Sequence, residues 1–107
     1  MLILAEFEVR VLLTVLRCRD AAYAVAVHQE LERRTRRRAS LGAVYVTLDR
    51  LERKGLLLST LGEPRAERGG RARRHYRLSR KGSAALRQTC LEMRQLSEGL
   101  EIAEDPL

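Results

Sequence analysis

Ser40–Gly55, S-L-G-A-V-Y-V-T-L-D-R-L-E-R-K-G, reads as one helix with both ends marked. Ser40 is an N-cap residue whose hydroxyl can accept from a free backbone N–H of the first turn. Gly55 suits the left-handed conformation that ends a helix, and Arg53 and Lys54 suit the negative end of its dipole. Leu41, Val44, Leu48 and Leu51 recur on one helical face. The opposite face carries Gly42, Val46, Asp49, Arg50 and Arg53. Little bulk followed by long hydrogen-bond donors is what a helix needs to enter a DNA major groove. An ordinary amphipathic helix with a solvated charged face has the same pattern, so the surroundings decide between the two.

The charge around this helix is concentrated. Residues 33–81 hold 16 Arg or Lys, most of them Arg, against 4 Asp or Glu, a net of +12. Residues 1–32 and 82–107 are each mildly acidic, which leaves +7 for the 107-residue chain. A basic middle between acidic ends points to a polyanion bound by the middle and a different task for the ends. The run Arg33-Arg34-Thr35-Arg36-Arg37-Arg38 falls just before the helix, where arginines can hold phosphates.

Upstream, residues 4–17 predict a first helix with Leu4, Phe7, Val11 and Val15 on one face. Leu12, Leu13 and Leu16 widen its apolar surface beyond a single stripe, and part of that surface is expected to meet another chain. Residues 22–34 predict a second helix through Tyr23, Val27 and Leu31. Downstream, Leu56–Leu61 and Arg71–Leu78 read as the strands of a hairpin. Alternation puts Tyr76 and Leu78 inward, Arg74 at the exposed end of that face, and Arg71, Arg73, His75 and Arg77 on the other. Gly69-Gly70, with no helix following, reads as a turn rather than a phosphate cradle. Ser79 caps a last helix over about residues 80–101, in which Leu86, Cys90, Met93, Ser97 and Leu100 form a heptad-like seam and Leu91 and Leu96 add apolar surface.

Three helices, a hairpin and a final helix make a winged helix-turn-helix with a C-terminal dimerisation helix. The expected division is a DNA-binding domain at 1–79, the dimerisation helix at 80–102 and a frayed tail at 103–107. The motifs S-L-G-A-V-Y-V-T-L-D-R-L-E-R-K-G-L from Ser40 and G-G-R-A-R-R-H-Y-R-L-S from Gly69, with Tyr23, Val27 and Leu31 before them, resemble the PadR-like family of bacterial transcriptional regulators in its short form. The resemblance covers nearly the whole chain. It implies a homodimeric repressor on a palindrome-like DNA operator, controlling transport, detoxification or stress genes. It also implies that Tyr45 and its neighbours lie on the DNA side of the third helix. The expected DNA-facing residues are Gly42, Ala43 and Val46 against base edges, Tyr45 at the edge of the core face in a packing-and-phosphate role, and Arg50 and Arg53 reaching bases or nearby phosphates. Arg38, Ser40 and the wing arginines Arg68, Arg71 and Arg73 are expected to hold the DNA backbone. The expected dimer interface comprises Leu12, Leu16, Leu86, Cys90, Met93 and Leu100.

Other classes are set aside on chemistry. Cys18 and Cys90 lack metal-ligand spacing, His28 and His75 stand far apart, and no nucleophile–base pair or nucleotide fingerprint is present, so neither an enzyme nor a cofactor is expected. Nothing resembles a signal peptide or a membrane span, and a cytoplasmic location follows as the expectation. A small-molecule effector is not identified. With Phe7 the one aromatic of the first helix and none in the last, flat aromatic ligands are expected to have little effect. The rival readings are a winged helix that binds protein and a DNA binder without sequence preference.

Overall fold

The computed structural model describes residues 3–64 and 72–102, and its elements alternate little from the order just given. They are α1 (Glu6–Cys18), a 3₁₀ turn (Arg19–Ala21), α2 (Ala24–Thr35), α3 (Leu41–Arg53), β1 (Leu57–Pro64), β2 (Ala72–Leu78) and α4 (Arg80–Ser97). The strands pair antiparallel, with Leu57 opposite Leu78, Ser59 opposite Tyr76 and Leu61 opposite Arg74. This is a winged helix-turn-helix followed by a further helix. The expected tail at 103–107 lies outside the described residues.

The core is largely aliphatic and is shared by the four helices and the hairpin. Val11, Leu12 and Val15 of α1 meet Val27 and Leu31 of α2, Val44, Leu48 and Leu51 of α3, Leu56 and Leu57 at the start of the hairpin, and Leu86 of α4. Tyr76 is the one aromatic among these buried residues. The hairpin is stitched to the helical part by backbone: Tyr76 N–H donates to the Ala22 carbonyl at 2.9 Å. His75 Nδ1 donates to the Asp20 carbonyl at 3.0 Å beside it.

The broad apolar surface of α1 divides differently from the expectation. Leu12 is fully buried within its own chain and does not belong to an outer surface, whereas Leu13 and Leu16 are exposed. The reason is that α1 is central, packed by α2, α3, β2 and α4 from several directions. Leu86 is likewise buried, at 4 % exposure, in the chain's own core. Neither residue is available to a partner subunit. Leu41, placed on the core face by its spacing, is partly exposed at the helix start, and Thr47 is buried in addition to Val44, Leu48 and Leu51.

α4 ends at Ser97, short of the expected 101. Gly99 follows at φ +80°, a conformation that glycine adopts without cost and that breaks the helical repeat, so Leu100 sits beyond the helix rather than on its seam. The first turn of α4 is fastened to the end of α3. Ser79 Oγ donates to the Gly55 carbonyl at 2.6 Å and accepts from Gly82 N–H at 2.9 Å, while Ser79 N–H donates to the Leu56 carbonyl at 3.0 Å. After Cys90 α4 leaves the core: residues 91–102 are exposed.

Candidate nucleic-acid interface

Helix α3 starts as its sequence requires. Ser40 is extended, and its Oγ accepts from Ala43 N–H at 3.0 Å. That bond occupies a lone pair of the hydroxyl, whose O–H remains free to donate outward. At the far end Gly55 takes φ +77° and turns the chain into β1. With Val44, Leu48 and Leu51 buried, the outward pole of α3 is set by helical geometry near Val46 and Arg53, with Gly42 close by. Asp49 and Arg50 flank the pole by roughly 50° on either side. Val46 is 57 % exposed and Tyr45 52 %, so the surface offered is backbone, methyl groups and a phenol before it becomes charged.

The turn between α2 and α3 is held by a clamp that sequence reasoning missed. His28 Nε2 donates to the Ala39 carbonyl at 2.7 Å, and Glu32 Oε2 accepts from Ala39 N–H at 2.8 Å. Both polar groups of one peptide-bearing residue are thus taken by α2 side chains one turn apart, which fixes where α3 begins. His28 is therefore a structural clamp. No local pattern could have announced it, because the partners are 11 and 7 residues apart.

The arginines fall into two groups. Arg33 and Arg34 are both engaged with Glu30, whose carboxyl their hydrogen bonds and charges hold below the usual carboxylate range. Arg53 donates to Asp49 at 2.9 Å. Arg36, Arg37, Arg38 and Arg50 are exposed and have no carboxylate within ion-pair distance among the described residues. Arg36 itself sits in the left-handed region at φ +58°, which ends α2. Among the described residues, three guanidiniums without an ion-pair partner therefore lie in the turn that leads into α3.

On the other flank, the wing is tied to α3 by a polar chain. Arg74 Nη1 donates to Ser59 Oγ at 2.9 Å, and Ser59 Oγ donates to Glu52. Burial first, and then the Glu52 carboxylate, push the Tyr76 phenol above its ordinary pKa. The Arg73 guanidinium stacks 4.0 Å from the centre of the Tyr23 ring, and His75 meets the same ring edge-on. Arg73 is thus anchored against the N-cap residue of α2. Arg68 and Arg71, the other wing residues expected at the backbone, lie outside the described residues.

One buried ion pair braces the assembly from behind. Glu8, 2 % exposed, accepts from Lys54 Nζ at 2.7 Å and from Ala5 N–H at 2.9 Å. Burial would raise the acid's pKa. The hydrogen bonds from Lys54 and Ala5, with the charges of Lys54 and Arg50, outweigh it and hold the carboxyl below the usual range. Lys54 therefore turns back to α1 instead of joining the outward cations of α3. Among the described residues no cluster of His, Cys, Asp and Glu could hold a metal ion, and no helix is long and apolar enough to cross a membrane.

This geometry, a capped helix with a bare outward face between a basic turn and a wing, agrees with the comparison to known families. Residues 12–88 match the transcriptional regulator PadR-like family. The chain belongs to the PadR-like family. Its members are transcription regulators rather than enzymes, and membership implies regulation through DNA binding. Solved PadR-like relatives have the same fold. A PadR-like transcription factor from Bacteroides fragilis is 26 % identical, with a TM-score of 0.66 over 83 % of this chain and 82 % of the other. A PadR-family regulator from Eggerthella lenta is 27 % identical, with a TM-score of 0.67 over 87 % and 82 %. RosR of H. salinarum, in a complex, is 26 % identical, with a TM-score of 0.68 over 92 % and 77 %. The search of curated proteins finds no match.

Proposed function

We propose that this PadR-like protein is a homodimeric, sequence-specific DNA-binding repressor of the cytoplasm, acting on a palindrome-like operator that controls transport, detoxification or stress genes. The observation that carries the reading is the juxtaposition at the start of α3. A face of Gly42, Ala43 and Val46 slim enough to approach base edges lies beside the uncompensated Arg36, Arg37 and Arg38. In this reading Arg38 and the Ser40 hydroxyl hold phosphates, Arg50 and Arg53 supply long donors to the groove, Val46 lies against apolar base edges such as a thymine methyl, and Tyr45 contacts the backbone from the wing side. Arg68, Arg71 and Arg73 serve the wing's contacts.

Dimerisation is supported by apolar surface that the described residues leave uncovered. Leu16 is 52 % exposed, Met93 63 % and Leu100 67 %, with Leu13, Leu91 and Leu96 adjacent to them in the sequence pattern and Cys90 half-buried at the point where α4 leaves the core. Burying each such side chain contributes about 1.5–3 kcal/mol, and a two-fold interface counts every one twice. A two-fold dimer would place two α3 helices on half-sites about one DNA turn apart.

Salt-titrated binding to duplex DNA tests the polyanion claim against a winged helix that binds only protein. Three free turn arginines per subunit, doubled by symmetry, give an expected log–log slope of about −5 or steeper. A slope near zero, or no binding at low salt, would contradict it. Met93→Glu places two like charges near the two-fold axis, and sedimentation should show wild-type dimer and mutant monomer. A wild type that is monomeric at micromolar concentration would overturn the dimer.

A further inference from the structure

The outward surface of α3 contains one residue at odds with a DNA-facing role. Asp49 lies about 50° from the pole, on the wing side, and a carboxylate there repels phosphates whatever the sequence. The other acid of the helix, Glu52, is explained: it accepts from Ser59 and ties the wing to α3. Asp49 has no such internal duty among the described residues, where its ionic partner is Arg53, at 2.9 Å. Both side chains are exposed, 54 % for Asp49 and 80 % for Arg53. An exposed pair of this spacing adds little to helix stability, and Asp is among the weaker helix formers, so folding does not account for the residue.

Taking DNA binding by α3 as proposed above, we infer that Asp49 is a specificity-determining residue, which with Arg53 selects G·C pairs in each half-site. The bond from Arg53 Nη2 to Asp49 Oδ2 uses one of five guanidinium donors and leaves the rest free to fork onto guanine O6 and N7. It also restricts a flexible side chain before DNA arrives, which lowers the entropy lost on binding. The carboxylate keeps acceptor capacity that matches only one exposed major-groove feature type, an exocyclic amine such as cytosine N4. Against the acceptors of thymine O4 or a guanine edge the same carboxylate is repelled. Asp49 thus weakens binding to most sequences and is compensated at a matching one, which is how discrimination is obtained by penalising the wrong partner.

The test compares wild type, Asp49→Ala and Arg53→Ala on a duplex selected by the wild type and on random duplex, at one salt concentration. Thermal unfolding checks that each variant remains folded. Asp49→Ala is expected to hold or raise affinity for random DNA while the specificity ratio falls roughly 5- to 150-fold, the cost of about one base-pair discrimination. Repeating the selection with Asp49→Ala should erase preference at one or two adjacent G·C positions per half-site and leave the other positions intact. Arg53→Ala should blur the same positions, and the double variant should lose less than the product of the two single effects, because the residues act as a unit. A specificity ratio within 2-fold of wild type for Asp49→Ala, or equal loss on both duplexes, overturns the inference while the DNA-binding reading stands. A wild type that binds no duplex removes both.

Discussion

Gly82→Ala should be among the most damaging methyl additions the chain can receive. A Cβ built at Gly82 overlaps the carbonyl oxygen of Leu56 and lies 2.9 Å from its carbonyl carbon. The neighbour is backbone, already committed to Ser79 N–H, and cannot rotate away. Restoring ordinary contact requires a shift of about 1 Å or more between α4 and the start of β1. Overpacking of this kind costs about 1–3 kcal/mol, and partial withdrawal of Leu86 from the core adds up to about 2 kcal/mol. The expected loss is therefore about 1–5 kcal/mol, against the roughly 5–15 kcal/mol typical of such a domain. Gly42→Ala is the control. Its Cβ meets Ser40 Oγ at 3.5 Å, an ordinary contact, so better helix propensity should make that variant more stable by about 0.5 kcal/mol. Urea unfolding followed by far-UV circular dichroism measures both. A Gly82→Ala variant within about 0.5 kcal/mol of wild type would refute the close approach of α4 to β1.

Lys54→Met leaves the Glu8 carboxylate buried without its partner and should cost about 3 kcal/mol at neutral pH. Because the folded-state pKa of Glu8 is depressed, its contribution to wild-type stability is complete above the unfolded carboxylate pKa near ~4.3 and is lost as pH falls through the folded value. The gap between variant and wild type should therefore narrow on acidification, and a gap that stays unchanged well below the unfolded value of ~4.3 would contradict this. Arg50→Ala should relax sequence preference by about 1–3 kcal/mol, whereas Arg38→Ala should weaken binding to specific and random duplex alike and flatten the salt slope by about one unit per subunit. Equal losses on both duplexes for both variants would show that reading and holding are not divided in this way. Flat aromatic dyes should release no DNA at micromolar concentration, since α1 offers only Phe7 and α4 no aromatic residue; release measured by anisotropy would contradict it.

The parts of the fold that were legible are those with local chemical signatures. Ser40 and Gly55 mark the two ends of α3 because capping and left-handed backbone have residue-specific requirements, and the inward placement of Tyr76 and Leu78 follows from strand alternation. The errors lie where burial is decided from several directions at once. Leu12, Leu13 and Leu16 are one undifferentiated apolar surface in sequence, and only the positions of the neighbouring elements make Leu12 core and leave the other two outside. Leu86 fits a heptad seam by spacing, yet its own domain covers it, so the exposed seam begins later on α4. Gly82 reads as a poor helix residue until Leu56 is placed beside it. The His28–Glu32 clamp on Ala39 joins groups that neither periodicity nor composition relates, although it helps set the direction in which α3 projects.

The central claim, that the exposed face of α3 reads DNA sequence as part of a two-fold dimer, is tested most directly by selecting duplexes from a random pool with the wild-type protein. The expected result is an enriched inverted repeat whose half-sites are separated by about 10 base pairs centre to centre. A pool that binds with a steep salt dependence but acquires no sequence preference would contradict specific reading, and enrichment of a single unrepeated half-site would contradict the two-fold dimer.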